Sequence, residues 1–139
     1  MTVGAAILSP TRSYAPVIAD LLGKMRSDIH GMIHCTGGGL VKCRNFGKGV
    51  RYVKDDLISV PPLFKAIYES GAISLREMYQ TFNMGCRLEI ILPADKAQAV
   101  IDTARRYEIA AKVIGRVERA DGSNKVELRD AVEGRTFEY

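Results

Sequence analysis

Hydrophobic and polar residues alternate along this chain with two different periods, which together predict a mixture of helices and strands. Four segments have apolar residues at helical spacing and carry a proline or a serine near their start, as helix N-termini commonly do. These predicted helices cover residues 14–26, 61–68, 74–82 and 93–104. Residues 40–46 are expected to form a short helical turn.

Shorter apolar or alternating runs predict the strands. The predicted strands cover residues 3–8, 29–35, 50–53, 86–92 and 110–117. The Asp121-Gly122 pair is a turn signal, so residues 125–128 are predicted to pair back as a hairpin. The order of these elements predicts an α+β fold in which helices cover a mixed β-sheet.

The 139 residues of the chain are predicted to form a single domain. The strand predicted at 3–8 lies almost at the first residue, and its edges would be unpaired if no other segment joined it. We therefore expect this domain to be a piece of something larger.

The composition narrows the class of partner. The chain is 47% hydrophobic and 26% charged, which is ordinary for a globular protein. Its formal net charge of +4 is mild and its basic residues are scattered, which argues against nucleic acid as a partner. No apolar run approaches the ~20 residues that a bilayer span needs, so we expect no membrane partner. Three irregularly spaced cysteines do not make a disulfide framework, which favours the cytoplasm.

The most distinctive stretch is residues 34–39, where a predicted strand runs into His-Cys-Thr-Gly-Gly-Gly. Glycine tolerates positive φ, and successive backbone N–H groups in such a turn form a nest that binds anions. The stretch therefore indicates a phosphate site, although a tight turn without a ligand fits the same residues. His34 is a candidate for phosphate or substrate contact or for proton transfer; a histidine bonded to backbone is the alternative.

Two further positions suit an anion. Arg12 is predicted just before the helix at 14–26, where a positive side chain opposes the helix macrodipole. An anion bound between Arg12 and the helix start would relieve that conflict, while a solvent-exposed Arg12 is the alternative. Asn83 precedes Gly85 in a second polar turn, where its side chain could bond a ligand or its own backbone.

A metal site and a cysteine nucleophile are weaker interpretations. On a strand, His30 and His34 share a face about 13 Å apart while Cys35 points the other way, so these residues and Cys43 do not converge on one ion. Cys35 has no general base at a helpful spacing. We therefore expect no metal site, and we interpret Cys35, Cys43 and Cys86 as packing residues.

Four ordered motifs resemble the C-terminal domain of the phosphoribosylformylglycinamidine cyclo-ligase family, the AIR synthetases. They are Ser-Pro-Thr-Arg-Ser-Tyr at 9–14, His-Cys-Thr-Gly-Gly-Gly at 34–39, Val-Pro-Pro-Leu-Phe at 60–64 and Met-Tyr-Gln-Thr-Phe-Asn-Met-Gly at 78–85. The resemblance runs from about residue 4 to about residue 117 and implies a mixed β-sheet packed between helical layers, partly ferredoxin-like. After the glycines the family commonly has Leu-Pro-Glu-Asn, whereas this chain has Leu-Val-Lys-Cys, so no role is carried over to Arg44 or Asn45.

The resemblance also implies a function. The family uses ATP to activate the amide oxygen of formylglycinamidine ribonucleotide and then closes the imidazole ring, a step of purine biosynthesis. ATP and Mg²⁺ are bound mainly by an N-terminal domain, which also forms the homodimer and which this chain lacks. We therefore expect the isolated chain to be inactive, with its own N-terminal domain or an equivalent separate chain as partner.

Residues are carried over by position in the family motifs. The expected substrate- and phosphate-binding residues, besides the candidate catalytic His34, are Thr11, Arg12, Thr36, Gly37, Gly38, Gly39, Asn83, Met84 and Gly85. They are expected to line the cleft between domains. The alternatives are a stand-alone module that binds a phosphorylated metabolite and another ATP-using enzyme of the same superfamily.

Overall fold

The structure is a computed structural model, and it describes residues 2–139. Over these residues the chain forms helices and strands in a mixed order, which confirms the α+β prediction. The α-helices are α1 (Val3–Ile7), α2 (Ala15–Met25), α3 (Pro62–Glu69), α4 (Leu75–Thr81) and α5 (Ala97–Arg106). The strands are β1 (Gly31–His34), β2 (Val50–Lys54), β3 (Leu88–Ile91), β4 (Arg116–Arg119), β5 (Lys125–Arg129) and β6 (Thr136–Glu138). Short 3₁₀ helices cover Arg26–Asp28, Gly39–Asn45 and Ala94–Lys96.

The chain divides into two compact units. The first comprises the chain up to Met32 together with Ile90–Val113, and the second comprises Ile33–Glu89 together with Ile114–Tyr139. Strands β1 and β3 pair with each other as a two-stranded sheet.

The first unit is built on the apolar face of α2. Val17, Leu21 and Met25 recur every four residues and are buried, and side chains that include Val100 and Ile109 pack around them. Burying each such side chain stabilises the fold by about 1.5–3 kcal/mol. The helix begins as predicted, with Pro16 in its first turn, where the missing N–H is not needed.

The second unit is built on a four-stranded sheet with the order β4-β2-β5-β6. Strand β2 pairs with β5 in parallel and with β4 antiparallel, so Tyr52 is flanked by Val117 and Val126. Helix α4 begins at the predicted cap, where the Ser74 hydroxyl accepts a hydrogen bond from the N–H of Glu77 at 3.3 Å. The predicted helical turn after the glycines is the 3₁₀ helix Gly39–Asn45.

Four details of the secondary structure differ from expectation. The run at 3–8 is the helix α1 rather than a strand, and the hydroxyl of Thr2 caps it by accepting from the N–H of Ala5 at 3.2 Å. The predicted hairpin between 110–117 and 125–128 is wrong, because β2 lies between β4 and β5. Strand β4 starts only at Arg116, later than predicted, and Gly115 just before it packs so closely on β2 that a Cβ there would lie 1.9 Å from the carbonyl oxygen of Val53. The last strand, β6, was not predicted.

Across residues 2–139, no helix is both long enough and apolar enough to cross a membrane.

Candidate functional site

The predicted phosphate loop follows directly from the end of β1. His34 is the last residue of β1, and the N–H of Thr36 donates to the His34 carbonyl at 2.8 Å, which turns the chain. Gly37 and Gly38 then adopt φ values of 65° and 75°. Residues with a Cβ rarely adopt this left-handed conformation, so the turn accounts for both glycines.

The backbone N–H groups of Gly37 and Gly38 are available to a ligand. Both residues are exposed, and neither N–H donates a hydrogen bond to any group of residues 2–139. A Cβ on Gly37 would meet no atom within 4 Å. His34 and Thr36 flank these groups and are exposed as well. Two neighbouring N–H donors on an open turn are the donor set that suits a phosphate oxygen.

Gly39 has a different reason to be glycine. It is buried at the start of the 3₁₀ helix, and a Cβ there would lie 2.2 Å from the carbonyl oxygen of Tyr79 and 2.6 Å from that of Phe82. The backbone of the loop therefore packs directly against the C-terminal end of α4. This contact holds the loop beside the turn that begins after Phe82.

That turn is the second predicted motif, Asn83 to Gly85. The Asn83 side-chain oxygen accepts a hydrogen bond from the N–H of Gly85 at 2.9 Å, and the Asn83 carbonyl accepts one from Cys86 at 2.8 Å. Met84 has a φ of 47° and is 2% exposed, so its side chain belongs to the core. Gly85 has a φ of 103° and packs on Pro61. The structure thus brings the two motifs together in the second unit, with half-buried Asn83 as the polar side chain of the turn.

Thr11 and Arg12 belong to the first unit, and both are exposed. The guanidinium of Arg12 donates to the carbonyl oxygens of Tyr107 and Glu108 at 2.6 and 3.0 Å, just past the end of α5. A cation there complements the negative end of the α5 macrodipole. The sequence places Arg12 against the dipole of α2. Its bonds to the end of α5 resolve that conflict without a bound anion.

A buried ion pair binds the backbone directly after the glycine loop. Lys54, at the end of β2, and Glu89, in β3, have side chains only 5% and 7% exposed, and the ammonium lies 2.5 Å from the carboxylate. The same ammonium donates to the carbonyl of Leu40 at 2.6 Å, directly after the glycines. Burial lowers the pKa of Lys54, but Glu89 and Cys43 together outweigh burial, so the pKa of Lys54 is raised above its usual value.

The cysteines are buried packing residues, as predicted. Cys35 points into the core opposite His34, and its Sγ donates to Glu89 Oε1 at 3.6 Å. Its hydrogen bond with Cys86, its burial and the nearby Glu89 carboxylate all raise the pKa of the Cys35 thiol, and burial raises that of Cys43. Protonated thiols are poor nucleophiles. Over the described residues, no group of three or more His, Cys, Asp and Glu side chains converges as a metal site.

Lys42, Lys54 and Glu89 are the residues around the loop that sequence reasoning missed. Lys42 Nζ donates to the carbonyls of His34 and Thr36 at 3.0 and 3.2 Å. One signal in the sequence could have pointed to Lys42. It occupies a position where the family that this chain resembles commonly has Glu. Lys54 and Glu89 lie in strands 35 residues apart in sequence, and a charged residue at a strand end is usually exposed.

Comparison with known proteins gives one family for nearly the whole chain. The family model described as "AIR synthase related protein, C-terminal domain" matches residues 2–126. A phosphoribosylformylglycinamidine cyclo-ligase of Methanococcus vannielii is 38% identical over 129 residues, which is 91% of this chain and 36% of that protein. The enzyme of the same name from Methanopyrus kandleri is 37% identical over 121 residues, 87% of this chain and 34% of that protein. The chain therefore spans about a third of the length of these relatives.

A solved structure shares the fold. The crystal structure of E. coli HypE, a hydrogenase maturation protein, matches with a TM-score of 0.65 at 19% sequence identity, covering 92% of this chain and 39% of that one. At this identity the likeness concerns the architecture alone.

Proposed function

This chain belongs to the family of AIR synthase related proteins, C-terminal domain, and we propose that it works as the C-terminal domain of an ATP-dependent cyclo-ligase of purine biosynthesis. The complete enzyme converts formylglycinamidine ribonucleotide to aminoimidazole ribonucleotide: ATP activates the amide oxygen of the substrate, and ring closure follows. The name shared by the relatives supports this reaction. The single structural observation that carries the role of this domain is the pair of N–H groups of the exposed residues Gly37 and Gly38, which donate no hydrogen bond within residues 2–139.

In this proposal the glycine loop holds a phosphate at the cleft between domains. Substrate and ATP both carry phosphates, and fixed N–H donors stabilise their charge without reorganising during the reaction. Thr36 adds a hydroxyl beside these donors, and Asn83 adds an amide from the neighbouring turn. His34, exposed at the strand end, is the candidate of the loop for proton transfer.

ATP and Mg²⁺ are the proposed cofactors, and the donor sets of this chain suit them unequally. The N–H pair of the loop fits a phosphate oxygen. Mg²⁺ prefers carboxylate, carbonyl and water oxygens, and we assign its protein ligands mainly to the N-terminal domain of the complete enzyme. That domain, as part of a longer chain or as a separate one, is the proposed partner, and the complete enzyme is proposed to be a cytoplasmic homodimer. The isolated chain is proposed to be inactive.

A calorimetric titration tests the domain role. The chain alone should bind the ribonucleotide and ATP–magnesium at least about 100-fold more weakly than the chain mixed with the N-terminal region of the M. vannielii relative, a difference of about 2.7 kcal/mol in binding free energy. Micromolar binding by the chain alone would instead identify a stand-alone module for phosphorylated metabolites.

A matched pair of variants tests the loop. Gly37 and Gly122 both have positive φ, 65° and 84°, and a Cβ at either position would meet no atom within 4 Å. Gly37→Val should abolish ribonucleotide binding by the mixed proteins, whereas Gly122→Val, which introduces the same kind of backbone strain elsewhere, should leave it unchanged. Equal affinities for the two variants would exclude the loop from the site.

A further inference from the structure

Lys42 packs against the glycine loop and binds the backbone where the loop begins. The residue is half-buried in the 3₁₀ helix Gly39–Asn45, and its side chain reaches back along the loop. A Cβ on Gly38 would lie 3.5 Å from the Cβ of Lys42 and 3.7 Å from its Cγ, so the lysine stem passes close to Gly38. The ammonium then ends between the carbonyl oxygens of His34 and Thr36, on either side of Cys35, at 3.0 and 3.2 Å.

This contact determines where the next N–H group points. The Thr36 carbonyl and the Gly37 N–H belong to one planar peptide unit, and in a trans peptide they point in opposite directions. The structure has no cis peptide among the described residues. Because Lys42 binds the Thr36 carbonyl, the N–H of Gly37 points away from Lys42. Gly37 is exposed, and its N–H donates no hydrogen bond within residues 2–139.

The same contact strengthens the donor. A cation bonded to a carbonyl oxygen withdraws electron density from its peptide unit, and hydrogen-bonded chains polarise one another in this way. The ammonium also adds a positive charge well within the ~8 Å over which physiological salt screens charges. Lys42 thus acts on a phosphate at the loop through the peptide that it holds.

We propose that Lys42 is a positioning residue for phosphate binding. It orients and polarises the Thr36–Gly37 peptide, so that the Gly37 N–H becomes a stronger hydrogen-bond donor to the anion. This inference rests on the proposed function, since it presupposes that the loop takes a phosphate. A purely structural tie at the end of β1 is the competing role. The two differ because positioning by a cation requires the charge, whereas a structural tie requires only a hydrogen-bond donor.

The test is an NMR titration of this chain with inorganic phosphate at constant ionic strength, following the amide signals of Gly37 and Gly38. In the wild type these signals should shift and saturate at millimolar phosphate concentrations, because this chain is proposed to supply only part of the phosphate site. Lys42→Gln, which keeps a donor but loses the charge, should weaken binding by up to about tenfold, the usual difference between a hydrogen bond with a charged partner and one with a neutral partner. Lys42→Arg should restore the affinity to within about threefold, and the exposed Lys48→Gln controls for the change in net charge.

The outcomes separate the inference from its premise. Loop signals that do not shift in the wild type would overturn the phosphate role of the loop and the inference together. Loop signals that shift equally in the wild type and in Lys42→Gln would overturn the role of Lys42 and leave the proposed function standing. Amide signals outside residues 34–46 report whether each variant keeps its fold, and Lys42→Met provides a second neutral replacement.

Discussion

Breaking the buried pair Lys54–Glu89 is the perturbation whose cost follows most directly from the structure. In Lys54→Met the Glu89 carboxylate, 7% exposed, loses the ammonium that lies 2.5 Å away, and the Leu40 carbonyl loses its donor at 2.6 Å. Removing one partner of a buried ion pair costs about 3–5 kcal/mol, because an uncompensated charge stays behind. Domains of this kind have total stabilities of about 5–15 kcal/mol, so the loss is a large fraction of the whole.

Urea unfolding followed by circular dichroism measures this cost. With a slope of about 2 kcal/mol per molar urea, a loss of 4 kcal/mol lowers the midpoint by about 2 M. The double variant Lys54→Met/Glu89→Leu removes both charges and should recover most of the loss, since apolar replacement of a whole buried pair is often neutral. A single variant that costs less than about 1 kcal/mol, or a double variant as unstable as the single one, would refute the reasoning.

The pH dependence of the same pair has a definite sign. The pKa of Lys54 is raised in the folded protein above its usual value, so the folded state holds this proton more tightly than the unfolded state does. The stability contributed by Lys54 is therefore fully present below about pH 10.4 and is lost as the pH rises through the raised folded pKa. Lys54→Met/Glu89→Leu should lack this part of the alkaline decline in urea midpoint.

Three further predictions concern single positions. Gly39→Ala should destabilise the protein far more than Gly37→Ala, which costs about 1 kcal/mol for its positive φ, because the new Cβ at Gly39 would lie 2.2 Å from the carbonyl oxygen of Tyr79; comparable urea midpoints would contradict the contact. Arg12→Met should lower stability by about 1 kcal/mol through the lost bonds to the end of α5, and hydrogen exchange should report the loosening there. Burial raises the pKa of Tyr139 to about 12, so Tyr139→Phe should remove a tyrosinate step near pH 12 from an ultraviolet pH titration, together with the stability lost between about pH 10 and 12.

Elements whose own residues carry a local signal could be predicted from the sequence. Helix α2 has its proline in the first turn and its apolar face at helical spacing, and α4 has its serine cap. Residues 3–8 were predicted wrongly because a short apolar run fits a strand or a helix equally well. The cap that Thr2 supplies is a weak signal that the apolar run outweighed.

Strand order could not be predicted, because it depends on contacts between distant parts of the chain. The Asp121-Gly122 turn connects consecutive strands and suggests a hairpin, yet β2 separates β4 from β5 by pairing with both. The polar strand β6 exists because it pairs with β5, with Phe137 opposite Leu128. The local pattern of hydrophobic and polar residues predicts neither of these strand pairings.

The candidate site, too, could be predicted from the sequence only in part. The positive φ values of Gly37 and Gly38 follow from the conformational freedom of glycine and were predicted. The packing of Gly39 on α4 and the bonds of Lys42 and Lys54 to loop carbonyls were not, because they depend on how the segments pack.

The most direct test of the proposed role is turnover by a chimera in which this chain replaces the C-terminal third of the M. vannielii relative. The assay follows ATP-dependent conversion of formylglycinamidine ribonucleotide to aminoimidazole ribonucleotide. We predict that the chimera forms the product, that this chain alone does not, and that Gly37→Val in the chimera abolishes turnover while Gly122→Val does not. A folded chimera that binds ATP but forms no product would contradict the account.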